Sequence, residues 1–168
     1  MNSKEDVYEK IIAQVLNFLA YQSRSQKEVL AKIERSLAKI KSLTDEDKAQ
    51  VKVQLLNYLT ELKLVNDEAF AKTYLQQKTA SPKPVSKKAV SQFLFRKGIS
   101  KDIIDAVLMD YTNDDEYTAV TKLVGKKIKT LKSPNSQTAK QKLTSYLLTR
   151  GFSFDVIRRV VDTQFKVQ

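Results

Sequence analysis

The chain has 168 residues, 42% hydrophobic and 29% charged, a mixture that folds and is long enough to bury a core. It has no cysteine and no histidine, which excludes a disulfide framework, thiolate and imidazole metal ligands, and the commonest general acid–base group at neutral pH. Thirty basic against nineteen acidic side chains leave a net charge of +11, suited to a polyanion such as a nucleic acid or nucleoprotein, or else to a plain lysine-rich solvated face.

Three Gly and three Pro are too few for many short strands and tight hairpins, so helices are expected. Val7, Ile11, Ile12, Val15, Leu16 and Leu19 recur at spacings of three and four and predict a first helix over 7–22. Ser25 with Glu28 forms a capping box ahead of a second, which carries Val29, Leu30, Ile33, Leu37 and Ile40. Thr44 followed by three carboxylates starts a third, with Val51, Leu55, Leu56, Leu59 and Leu62 aligned. Asn66-Asp67-Glu68 opens a fourth, expected to bury Phe70, Tyr74 and Leu75, and Ser81-Pro82-Lys83-Pro84 ends it.

The fifth helix is predicted from Ser86 to Lys97, stopping at Gly98, and Ser100 caps the sixth, with Ile103, Ile104, Val107, Leu108 and Tyr111 inward. Asn113 and Glu116 are expected to box the start of the seventh, which holds Tyr117, Val120, Leu123, Val124, Ile128 and Leu131. Beyond the loop Ser133-Pro134-Asn135-Ser136, the eighth reaches Arg150 and stops at Gly151. Ser153 then caps a ninth that carries Val156, Ile157, Val160, Val161 and Phe165. No segment reads as a strand.

Phe93–Ile104 lies over Tyr146–Ile157 at a shift of 53 residues: aromatic, Leu, apolar, variable, basic, Gly, apolar, Ser, variable, Asp, then two β-branched residues. Asn66-Asp67-Glu68-Ala69-Phe70 answers Asn113-Asp114-Asp115-Glu116-Tyr117 at a shift of 47, which implies a six-residue insertion in the last unit. A fainter copy, Phe18–Ser25, lacks the glycine. The expected architecture is all-α: three tandem three-helix repeats over 1–65 (degenerate), 66–112 and 113–168, forming a curved, elongated array.

Catalysis is not expected. The clusters Asp45-Glu46-Asp47, Asp67-Glu68 and Asp114-Asp115-Glu116 sit at predicted helix starts, where capping explains them. The glycines are too far apart for a nucleotide-binding loop, and no cofactor or metal site is read. Positive charge grows along the chain, from +2 over 1–65 to +3 over 66–112 and +6 over 113–168. The candidate partner- or DNA-binding residues are Lys87, Lys88, Arg96 and Lys97 on the fifth helix, and Lys122, Lys126, Lys127, Lys129 and Lys132 on and after the seventh. Lys140, Lys142 and Arg150 follow on or beside the eighth, then Arg158 and Arg159 on the ninth. Lys126, Lys129 and Lys132, three apart, form a ridge on which phosphates would release counterions. Helix-turn-helix reading of duplex DNA is disfavoured, because the helix after Gly98 sets Asp102, Asp105 and Asp110 against Lys101 alone. With no apolar run of about 18 residues and no apolar leader, a cytoplasmic monomer without a membrane partner is expected.

Together Ser25-Gln26-Lys27-Glu28-Val29-Leu30, Leu64-Val65-Asn66-Asp67-Glu68-Ala69-Phe70-Ala71, Lys97-Gly98-Ile99 and Arg150-Gly151-Phe152-Ser153 resemble the RecX family of bacterial recombination regulators, in order, from Tyr8 to Phe165. The chain departs from the family pattern at Lys63, where Gly is usual, at Leu64, often Tyr, and at Phe93, commonly acidic. The resemblance implies a non-enzymatic modulator of the RecA recombinase that lodges on the RecA–DNA filament, contacts its single-stranded DNA, and hinders ATPase and strand exchange in recombination and repair. The residues by themselves leave open a stand-alone single-stranded nucleic-acid-binding protein or a helical-repeat adaptor.

Overall fold

A computed structural model describes residues 4–131 and 136–166. Among them the chain is all-α, with nine helices and no strand: α1 (Lys4–Tyr21), α2 (Gln26–Leu37), α3 (Asp45–Glu61), α4 (Asp67–Ala80), α5 (Lys87–Arg96), α6 (Lys101–Met109), α7 (Asn113–Ile128), α8 (Gln137–Thr149) and α9 (Phe154–Lys166). The expected loop over 133–136 and the candidate Lys132 fall outside the described residues, except Ser136, whose hydroxyl caps α8 by accepting from the Ala139 N–H at 3.1 Å.

The chain folds as two compact units, Met1–Phe70 with Lys97–Ile99, and Ala71–Arg96 with Ser100–Gln168. In the first, α1, α2 and α3 close around Val7, Ile11, Val15, Val29, Ile33, Leu37, Val51, Leu55, Leu59 and Val65. Leu16 and Leu62, placed on the sequence stripes, are exposed: Leu16 is a further 100° around α1 from Val15, and Leu62 is the C-cap of α3. In the second unit, α7, α8 and α9 surround Val120, Leu143, Leu147, Phe152 and Ile157. On α4 it is Ala71 and Leu75 that are buried, while Phe70 and Tyr74 are half-buried.

Most helix boundaries follow their capping chemistry. Thr44, Ser86 and Ser100 accept from the N–H three residues on, and Asn66 does so from Ala69 at 2.9 Å. The box on α7 is built by Thr112 and Asp115, one residue before the expected Asn113–Glu116 pair: Thr112 Oγ1 accepts from Asp115 N at 3.1 Å, and Asp115 Oδ2 accepts from Thr112 N at 2.9 Å. Either pair satisfies the sequence rule, and packing decides, because it takes Glu116 into the interior at 3% exposure.

Helix α8 ends in a Schellman motif, with Gly151 N donating to Leu148 O at 2.8 Å, Phe152 N donating to Leu147 O at 3.3 Å, and Gly151 at φ +81°. Helix α3 ends the same way, with Lys63 N donating to Thr60 O at 2.9 Å and Leu64 N to Leu59 O at 3.0 Å, but its left-handed residue is Lys63 at φ +57°. A side chain there costs about 1–2 kcal/mol, and glycine returns about 0.4–1 kcal/mol of that through its freer unfolded chain. Lys63→Gly is therefore expected to stabilise the protein by roughly 0.5–1 kcal/mol, raising the urea midpoint. A lower midpoint would show that Lys63 makes up its strain elsewhere.

Candidate nucleic-acid interface

The candidate site is built around the end of α8. Ser86, fully buried, caps α5 by accepting from Ala89 N at 3.2 Å and donates its own hydroxyl proton to the Arg150 carbonyl at 2.7 Å. Gly151 follows, and a Cβ placed on it would lie 3.3 Å from Cβ and Cδ of Lys88, so the Lys88 stem runs beside the Arg150–Gly151 corner. The Arg150 guanidinium stands over the Tyr146 ring, 4.9 Å from its centroid, and the Lys127 ammonium lies 5.4 Å from the same centroid. Next along α7, Lys126 Nζ donates to the Pro82 carbonyl at 2.8 Å. Helix α7 and the C-cap of α8 thus bring two exposed cations, Lys127 and Arg150, to a half-buried aromatic ring, and α5 adds the exposed Lys88 beside the Arg150–Gly151 corner.

The same device occurs in the first unit with a different charge outcome. Ser25, also fully buried, donates to the Lys97 carbonyl at 2.7 Å, and Gly98, at φ +82°, packs against Lys27 as Gly151 does against Lys88. Three residues after Ser25 stands Glu28, whereas three after Ser86 stands Ala89. Lys97 Nζ therefore pairs with Glu28 Oε1 at 2.6 Å, and Arg24 lies 3.7 Å from the same oxygen. Burial alone would push the Glu28 carboxyl up, but hydrogen bonds from Lys97 and the Ser25 N–H, with the two cations, hold it below its ordinary value. Lys97 is engaged within its unit, while Arg150 has no carboxylate at the equivalent place.

The other candidates divide by what they touch. Lys140 Nζ pairs with Asp162 at 2.7 Å, and Arg158 Nε lies 3.7 Å from the other oxygen of that carboxylate. Arg159 stands over Tyr117 at 5.1 Å in a groove also lined by Asp155, Arg158, Asp162 and Thr163, where the two carboxylates would repel phosphate. Lys122, Lys126 and Lys129 share a face of α7 at helical spacing and are exposed, as are Arg96 and Lys142. Lys87 is half-buried and helps hold the Asp115 carboxyl below its usual value, after the Thr112 hydrogen bonds that do most of this.

Two features were not read from the sequence. Glu116 is not a solvated helix-start carboxylate; it accepts from the Ser153 hydroxyl at 2.9 Å, tying the start of α7 to that of α9. Beside it Tyr111 donates to the Val85 carbonyl at 2.9 Å, its phenol pushed well up by burial and by the Glu116 and Asp115 charges. The second is Tyr146, which entered only as the aromatic of the repeat. The available signal was the 53-residue shift itself, which lays Tyr146 over Phe93, an aromatic that stacks on Tyr74.

Among the described residues, no group of three or more His, Cys, Asp or Glu side chains is placed to hold a metal ion, and no helix is long and apolar enough to cross a membrane. The family models for the second and third three-helix domains of RecX match residues 66–108 and 114–161. The chain is 32% identical over 159 residues to the regulatory protein RecX of Leuconostoc mesenteroides, covering 94% of this chain but only 55% of that relative. With RecX of Chlorobium limicola it shares 31% identity over 154 residues, covering 92% of this chain and 89% of the relative. The crystal structure of RecX from Lactobacillus salivarius superposes with a TM-score of 0.76 at 28% identity, covering 98% of this chain and 99% of that one. A second RecX crystal structure, at 24% identity, shares the fold with a TM-score of 0.75. The chain belongs to the RecX family, whose members are regulatory proteins and not enzymes.

Proposed function

We propose that the protein binds the RecA recombinase filament in the bacterial cytoplasm and restrains its ATPase and strand exchange, touching both recombinase and single-stranded DNA. The observation that supports this most is the gathering of Lys88, Lys127 and Arg150 at one corner of a chain that belongs to a regulatory family named for recombination. A polyanion held in a protein filament offers such a corner closely spaced phosphates, each of which releases counterions when neutralised. The chain spans 55% of the length of the Leuconostoc relative, so this role is carried over from the family name to this chain as a proposal.

The test is co-sedimentation with RecA on single-stranded DNA, followed by titration of the recombinase ATPase. Wild type is expected to pellet with the filament and to depress hydrolysis. Lys127→Glu with Lys129→Glu is expected to raise the half-inhibitory concentration by about tenfold, because two attractions to phosphate become repulsions. The control pair Lys39→Glu with Lys41→Glu, exposed in the first unit, makes the same change in net charge and is expected to leave inhibition within about twofold. Equal effects of the two pairs would remove the placement of the interface. Failure of wild type to pellet would remove the reading.

A further inference from the structure

In the second unit the same aromatic position occurs twice with different company. Phe93 on α5 is covered by Tyr74 of α4, the rings stacked at 4.0 Å between centroids and 6° between planes. At the 53-residue shift Phe93 becomes Tyr146, whereas α4, which supplies Tyr74, lies over α7 at a shift of 47, so that Tyr74 becomes Thr121. Against Tyr146 stand instead the Lys127 ammonium, on an exposed stem, and the Arg150 guanidinium. We infer that Tyr146 is a stacking platform for one unpaired nucleobase, which occupies on Tyr146 the place that Tyr74 occupies on Phe93, while Lys127 and Arg150 leave the ring to hold the flanking phosphates. The inference rests on the functional reading above, to which it adds a base-contact site.

The chemistry selects this ligand. A π-face bordered by cations fits a molecule that carries an aromatic plane and anions within a few ångströms of each other, which describes a nucleotide unit of a strand and not an isolated aromatic side chain. A duplex keeps its base faces inside its own stack, so only an unpaired strand offers one. The site reads no base identity, because the residues at hand present a ring and two charges and no placed acceptor–donor pair for a base edge. The neighbouring Lys88 extends the positive track past the Arg150–Gly151 corner.

The experiment uses the full chain and three probes of equal length: oligothymidylate, an abasic single strand, and a duplex. Wild type is expected to bind oligothymidylate about tenfold more tightly than the abasic strand, in line with one base–aromatic stack. Tyr146→Leu keeps the apolar packing of the ring position against the α7–α9 core but has no π-face, and should bring the two strands to within about twofold of each other. Tyr146→Trp should keep the preference and, in a chain with no other tryptophan, should lose emission as oligothymidylate saturates. Unchanged tryptophan emission, an equal affinity of wild type for base-bearing and abasic strands, or a Tyr146→Leu protein that retains the preference would each overturn the platform. Filament pelleting separates the two claims. Wild type that pellets with recombinase-coated DNA yet shows no base preference overturns the platform alone, whereas wild type that fails to pellet overturns the functional reading.

Discussion

Gly98→Ala is expected to lower the unfolding free energy by about 2–5 kcal/mol, and Gly151→Ala by only about 1–2 kcal/mol. Both glycines sit near φ +80°, so both substitutions carry the left-handed cost of about 1–2 kcal/mol. The difference lies in the space available. A Cβ on Gly98 would stand 2.8 Å from Cβ and 2.6 Å from Cδ of Lys27, and the former is fixed by the α2 backbone, so the helix corner itself has to shift. Such overpacking adds about 1–3 kcal/mol. On Gly151 the new methyl group would meet Ser86 Oγ at 3.1 Å and Lys88 Cβ and Cδ at 3.3 Å, approaches relieved by a few tenths of an ångström. Urea unfolding of the two variants checks the order. Equal losses would mean that the left-handed backbone, and not the close approach of Lys27, is why glycine stands at position 98.

Ser25→Ala is expected to cost about 2–3 kcal/mol, more than removal of an ordinary helix cap at about 1 kcal/mol. The hydroxyl has two roles at a fully buried position. It accepts from Glu28 N at 3.4 Å at the start of α2, and it gives its proton to the Lys97 carbonyl at 2.7 Å. Alanine would remove this hydrogen bond to the carbonyl at a fully buried side-chain position, at about 1–3 kcal/mol. Ser25→Thr keeps the hydroxyl and is expected to recover most of the loss. Thermal unfolding of wild type and the two variants measures this. A Thr variant no better than the Ala variant would locate the cost in packing and leave the hydrogen bond without a role.

Much of this fold was legible because each helix start and stop carries its own local chemistry. Ser25, Thr44 and Ser100 cap where the sequence predicts, and Gly98 and Gly151 stop helices where they stand. Local rules fail where two answers satisfy them equally. Asn113–Glu116 and Thr112–Asp115 both spell a box, and only the burial of Glu116 against Ser153 separates them. The basic candidates show the same limit more sharply. A lysine's spacing reveals which helix face it shares, but Lys97 and Lys140 end on Glu28 and Asp162, carboxylates 69 and 22 residues away in sequence. Lys127 and Arg150, the cations against Tyr146, share no sequence periodicity, because one stands on α7 and the other caps the end of α8.

The replacement of Glu28 by Ala89 in the second Ser–carbonyl bond also governs what ionic strength can disturb. In the first unit the corner at Gly98 is held partly by charge, so added electrolyte weakens it to the degree that the Glu28–Lys97 pair is solvated. At Gly151 the corresponding bond joins a neutral hydroxyl to a neutral carbonyl, which dissolved ions do not screen. The scaffold under Arg150 is in that respect indifferent to the medium, while the affinity of its cations for phosphate is steeply dependent on it. A plot of log affinity against log salt at this corner therefore counts displaced counterions directly, without a hidden contribution from loosening of the Ser86–Arg150 bond.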